Sequence, residues 1–128
     1  MNVTDLNKHK VRQFFDEVLN EGRLGLIDEL VAKDFIGHLS CGALHGPDGV
    51  AQFVSCRRAA CPELYLKVDD QIAEEDRVVT RWRATGGCAG ITIIRLLAGK
   101  QVDSYTQCTG GQCCRPFVRA AHGPLARR

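Results

Sequence analysis

NKHKVRQFFDEVLNEGRLGLIDELVAKDFIGH, residues 7–38, writes two short amphipathic helices, a tight break and a turn into a strand. Val11, Phe14, Phe15 and Val18 fall at i, i+3, i+4 and i+7, one apolar stripe of a helix. Asn20-Glu21-Gly22 ends that helix, because glycine readily takes the left-handed conformation of a helix C-terminus. Leu24, Ile27, Leu30 and Val31 repeat the stripe on a second helix. Asp34-Phe35-Ile36 then leads to His38, at the entry of the first strand.

Outward from this stretch, Leu39 to Gly46 reads as a loop, and Pro47 sits where proline is tolerated, in the first turn of a third helix. Val50, Phe53, Val54 and Arg57 mark that helix, which stops before Pro62. The period then changes to two. Leu64, Leu66 and Val68 alternate with Tyr65, Lys67 and Asp69, as in a half-buried strand. After the charged turn Glu74-Glu75-Asp76, one face carries Val78, Thr80, Trp82 and Ala84 and the other Val79, Arg81 and Arg83. Gly86-Gly87 breaks this strand. A third runs through Ile93, Ile94 and Leu96, turns at Ala98-Gly99-Lys100, and a fourth carries Val102 to Gln107. Three helices followed by four antiparallel strands is an α+β order. A curved sheet over helices leaves a mouth suited to a small-molecule pocket.

The chain has 128 residues and a formal net charge of +2, one domain by size. Without a Lys/Arg cluster interleaved with aromatics, nucleic acid is not an expected partner. No apolar run approaches the ~20 residues of a membrane span. Met1 to Asp5 is polar and lacks the pattern of a signal peptide, so a cytoplasmic location and no membrane contact are expected. The seven cysteines are odd in number, form no CxxC pair and stand at no finger-like distance from histidine. They read as buried or incidental thiols, packing as small hydrophobes. No HExxH, GxxxxGK[ST] or GxGxxG motif occurs, so neither metal nor cofactor is expected.

The segments VRQFFDEVLNEGRLGLIDELVAKDFIGH, HGPDGVAQFV, DQIAEEDRVVTRWRATG and GKQVDSY together resemble the SnoaL-like polyketide cyclase family of the nuclear transport factor 2-like superfamily. The likeness covers roughly residues 7–107. It implies a cone-shaped, curved antiparallel sheet packed on three N-terminal helices, with a cavity between them. It also implies a cofactor-free cyclase or isomerase that acts on a small apolar carbonyl compound through an enolate, with a carboxylate as acid/base. The alternative is a non-catalytic relative that binds a small hydrophobic molecule or forms a homodimer through its sheet; the fold alone fixes no reaction.

Two departures from the family pattern stand out. Only Gly87 to Gly90 separates the RW strand from Ile91, where the family usually has a longer segment. The sheet is therefore expected to be shortened and, in a decayed gene product, to leave an unpaired edge at Gly86–Gly90. In the last strand, Asp103, Tyr105, Gln107 and Thr109 share one face, taken as the inward one, so Thr109 stands where the family's aspartate is expected. A SnoaL-like domain is thus expected over residues 1–108. Residues 109–128, with four arginines and no acidic residue, read as an atypical, poorly ordered basic tail.

The resemblance nominates His38 and Asp103 as catalytic groups. Histidine titrates near neutrality, and a carboxylate in an apolar pocket becomes a better acid/base. Each has a plainer reading: a rim histidine hydrogen-bonded at the strand, and a solvated charge beside the Gly99-Lys100 hairpin. Phe15, Trp82 and Tyr105 are the candidate substrate walls, or else plain core. Arg81 and Arg83 alternate with Trp82 and face solvent or a subunit interface.

Overall fold

A computed structural model describes residues 2–40 and 42–109. The basic tail expected from the sequence lies outside these, apart from Thr109, which ends the last strand.

The first helix, α1, spans Val3–Gln13 and is capped by Asn2, whose Oδ1 accepts from the backbone N–H of Asp5 at 2.8 Å. At Phe14–Leu19 it widens into a π-helical turn, the wider winding often found at functional sites. There the consecutive Phe14 and Phe15 are both buried, their rings edge to face at 6.3 Å. Gly22 closes the break at φ +74°, the left-handed geometry expected of it. The second helix is shorter than the stripe suggested. A 3-10 turn, Leu24–Leu26, leads into a single turn, α2 (Ile27–Leu30). Val31, expected on that helix, instead starts strand β1 (Val31–Leu39), so His38 lies near the strand's end and not at its entry.

The expected loop after His38 contains a short strand, β2 (Gly42–His45), paired antiparallel with β1. Helix α3 (Gly46–Ala60) follows, with proline in its first turn. Strands β3 (Leu66–Glu74), β4 (Arg77–Ala84), β5 (Cys88–Leu97) and β6 (Lys100–Thr109) complete the chain. The sheet is curved and unclosed, in the order β2-β1-β6-β5-β4-β3. Its ladders are antiparallel except β1–β6, which is parallel. The four strands after the helices are antiparallel as expected; β1 and β2, which precede α3, extend the sheet to six strands, and β1 joins it in parallel. The short β4–β5 connection leaves no frayed edge: Trp82 pairs with Gly90, Arg83 with Ala89 and Ala84 with Cys88.

The helices cover one face of the sheet, α1 against β3 and β4 and α3 against β1 and β2. Val11, Val18, Ile27, Val50 and Val54 bury their side chains there against Val78, Ile94 and Leu96. As the alternation in β4 predicts, Val78, Thr80, Trp82 and Ala84 are all buried. Elsewhere bulges break the alternation. In β3, Val68 faces Trp82 and Asp70 faces Arg81, so Asp69 is an extra residue. In β6, Leu96 faces Gln101 and Arg95 faces Asp103, so Val102 is extra. Each bulge reverses which later residues point at the helices. Among the described cysteines, Cys56 and Cys61 carry free thiols, whereas Cys88 is disulfide-bonded, against the expectation of thiols there. Among the described residues, no helix is long and apolar enough to cross a membrane.

The end of the π-helical turn is tied to the sheet by Asn20. Its Nδ2 donates to the carbonyl of Leu66 and its Oδ1 accepts from the Leu66 N–H, both at 2.8 Å. Arg58 donates to the carbonyls of Leu19 and Asn20, satisfying acceptors that a helix end leaves open. Asn20→Ala strands both backbone groups of Leu66. It is expected to lower unfolding stability in urea by about 1–3 kcal/mol. A loss below about 0.5 kcal/mol would mean that water replaces both bonds.

Candidate ligand-binding site

Between the helices and the inner sheet face lies a cavity of about 100 Å³. The π-helical turn contributes Phe14 and Phe15, β1 contributes Phe35, α3 contributes Phe53 and Val54, and β4 contributes Trp82. Polar groups come from neighbouring strands: Thr92 on β5, and Gln101, Ser104 and Thr106 on β6. Trp82 Nε1 donates to Thr92 Oγ1 at 3.0 Å, and Thr92 Oγ1 shares a hydrogen bond with Thr106 Oγ1 at 3.1 Å. This relay crosses three strands and fixes the indole plane. The indole also lies over Gly90, where a Cβ would come within 2.4 Å of the ring. Gln101 is 2 % exposed, and its Nε2 has no hydrogen-bond partner.

The opposite face of the sheet carries a broader hollow of about 920 Å³, lined by His38, Ile91, Ile93 and Tyr105 among others. Leu39, Trp82 and Thr106 border both spaces. The rings of His38 and Tyr105 stack at 4.5 Å with an interplanar angle of 11°. Around them stand arginine–aspartate pairs. Arg81 Nε and Nη2 donate to the two oxygens of Asp70 at 3.1 and 3.0 Å. Arg83 grips Asp69 in the same way at 2.9 and 3.0 Å. The β3 bulge makes this double pairing feasible, since it turns two consecutive aspartates to one face. The hydrogen bond from Arg83 holds the Asp69 carboxyl below its ordinary range, and each arginine is raised by the bond to its partner. Such exposed pairs contribute little to stability; their effect is to order the outer face.

The candidate residues therefore divide between two places. Phe15 and Trp82 line the inner cavity, as expected. Asp103 and Tyr105 do not face it. The extra residue at Val102 turns them outward, and Asp103 is held by Arg95, whose Nε and Nη2 donate to Oδ2 at 3.0 and 2.8 Å. Thr109 shares that outer face. His38 lies beside Tyr105 in the parallel ladder and faces the same way. The inward positions of β6 are Gln101, Ser104, Thr106 and Cys108, of which the alternation through Asp103 reaches Gln101 and passes over the other three. Thr92 and Gly90 were within reach of sequence reasoning, because counting back by twos from Ile94 arrives at both.

The model of the SnoaL-like polyketide cyclases matches residues 9–108. The chain belongs to that family. No curated protein matches it. Among solved structures it is similar to a candidate SnoaL-like polyketide cyclase from Jannaschia sp. CCS1, with 20% identity and a TM-score of 0.77 over 85% of this chain and 89% of that one. IdmH, a candidate polyketide cyclase from Streptomyces antibioticus, is 22% identical with a TM-score of 0.70, over 87% and 97% of the two chains. A candidate isomerase of the SnoaL-like family from Agrobacterium tumefaciens C58 is 15% identical with a TM-score of 0.72, over 83% and 99%. At these identities the likeness shows the fold of this SnoaL-like domain: three helices and a curved, unclosed sheet. Among its described residues no group of three or more His, Cys, Asp or Glu side chains is placed to hold a metal ion.

Proposed function

We propose that this SnoaL-like domain binds a small apolar molecule in the cavity between its helices and its sheet. One observation carries the reading. The cavity wall combines five aromatic rings with a short row of hydrogen-bonding side chains, and the described residues lining it include no carboxylate and no imidazole. Such a wall can hold and orient a molecule. It offers no carboxylate or imidazole to take a proton from beside a carbonyl. The test is ligand-induced thermal stabilisation with small monocyclic ketones and aldehydes. A ligand at 100 times its Kd adds about 2.7 kcal/mol to unfolding. His38→Ala and Asp103→Asn are expected to bind as the wild type does, because both groups face the other side of the sheet. Loss of binding in either folded variant would overturn the reading.

A second reading follows the family: a cofactor-free cyclase or isomerase acting on an apolar carbonyl compound through an enolate. Its structural support is the His38–Tyr105 stack, which puts a titratable ring in the wall of the outer hollow. In this reading His38 takes the proton and Tyr105 orients the ring. Asp103 is not needed as base in this reading, and its Oδ2 is held by Arg95. Turnover that persists in His38→Ala would remove this reading. The exposed Ile91, Ile93 and Tyr105 on that face also support a homodimer formed through the sheet. A monomer mass in sedimentation at micromolar concentration would count against it.

A further inference from the structure

Gln101 is the one buried side chain among the described residues with a polar atom lacking any partner. It sits at the start of β6 in the cavity wall, 2 % exposed, paired with Val31 and Leu96 through the ladder. A buried amide N–H without an acceptor is costly to keep and is uncommon in folded proteins. Replacement by an apolar side chain would relieve that cost at once, so the amide needs an acceptor from elsewhere. The wall also carries the donors Arg57 and Arg58 and the hydroxyls of Thr92, Ser104 and Thr106, of which Thr92 and Thr106 bond each other, and none of them accepts from the Gln101 amide. The available volume is about 100 Å³. For scale, a dry apolar cavity of about 150 Å³ accepts benzene.

From these two facts we infer that the ligand of this cavity is a single-ring or comparably short molecule bearing one hydrogen-bond-accepting oxygen, which takes the free N–H of Gln101. This rests on the binding reading above and narrows it by size and by chemistry. It departs from what the family's name would suggest, since a multi-ring polyketide does not fit the volume. The aromatic rings supply the apolar contact, and the oxygen supplies the acceptor that the fold itself withholds.

The experiment compares cyclohexanone, methylcyclohexane and the three-ring ketone anthrone by calorimetric titration of the wild type, Gln101→Leu and Gln101→Met. Cyclohexanone is expected to bind the wild type at least tenfold more tightly than methylcyclohexane, the size of one hydrogen bond. That preference should disappear in both variants, while methylcyclohexane affinity stays within twofold. Anthrone is expected not to bind. Because both variants remove an unpartnered polar group, their unfolding midpoints should equal or exceed that of the wild type, which verifies that they fold. If methylcyclohexane binds as well as cyclohexanone, or Gln101→Leu and Gln101→Met keep the preference, the role of Gln101 is overturned while the cavity still binds. Anthrone binding more tightly than cyclohexanone overturns the size limit. If none of the three binds the wild type, the binding reading itself fails, and this inference with it.

Discussion

Truncation of Trp82 to alanine is expected to remove about 3–5 kcal/mol of folding stability, the range for deleting a large buried aromatic side chain. The indole is 5 % exposed and belongs to the main core cluster. It is held from three directions: by packing in the cavity wall, by the Nε1–H bond to Thr92, and by the bare backbone of Gly90 beneath it. Alanine would enlarge the cavity from about 100 Å³ and leave Thr92 with only its bond to Thr106. Trp82→Phe keeps most of the packing but not the N–H donor, and should fall between wild type and alanine. As Trp82 is the single tryptophan of the chain, unfolding in urea must be followed by circular dichroism. A loss below about 1.5 kcal/mol for alanine would show that the indole is loosely held.

The second large effect is expected at Gly90, which carries no side chain and no unusual backbone angle. A Cβ there would stand 2.4 Å from Cζ2 and 2.8 Å from Cη2 of Trp82, and 2.9 Å from the carbonyl oxygen of Gln107. Neither neighbour is the free end of a flexible side chain. Gly90→Ala is therefore expected to cost about 1–3 kcal/mol through overpacking. The two sites are in contact, so their effects should not add. In a Trp82→Ala background the Gly90→Ala cost should fall by about 1 kcal/mol or more, leaving only the clash with the Gln107 carbonyl. Equal costs in both backgrounds would place the strain in the strand and not under the ring.

These two positions also show what sequence reasoning could reach. The helix stripe of Val11, Phe14, Phe15 and Val18 and the alternation of Val78, Thr80, Trp82 and Ala84 are strong periodic signals, and every one of those residues is buried. They sufficed for the architecture and for placing two of the five candidate residues, Phe15 and Trp82, on the cavity wall. The other three, His38, Asp103 and Tyr105, lie on the opposite face for a physical reason. β6 reads Gln-Val-Asp-Ser-Tyr-Thr-Gln, in which neither set of alternate residues is clearly apolar. Hydrophobicity therefore could not say which set faces the helices. A bulge at Val102 then reverses the count, and nothing in one sequence marks it. Likewise Val31 continues the apolar stripe of the second helix, yet as a β-branched residue it is equally suited to the extended backbone it adopts. The pairing of His38 with Tyr105 depends on the parallel β1–β6 ladder, a long-range contact that local periodicity does not contain.

The extra residue at Val102 has a consequence for how such domains diverge. Which chemistry β6 presents to the cavity depends on where the strand bulges as much as on the identity of its residues. Pairing of β6 without this bulge, with every residue kept, would put Asp103 and Tyr105 at the wall in place of Ser104 and Thr106. A carboxylate could thus be gained or lost beside the ligand by losing or forming the bulge, with no amino acid changed. Column-by-column comparison of relatives across this strand would then equate side chains on opposite faces, so loss of a family aspartate from its column says nothing about which space lost it.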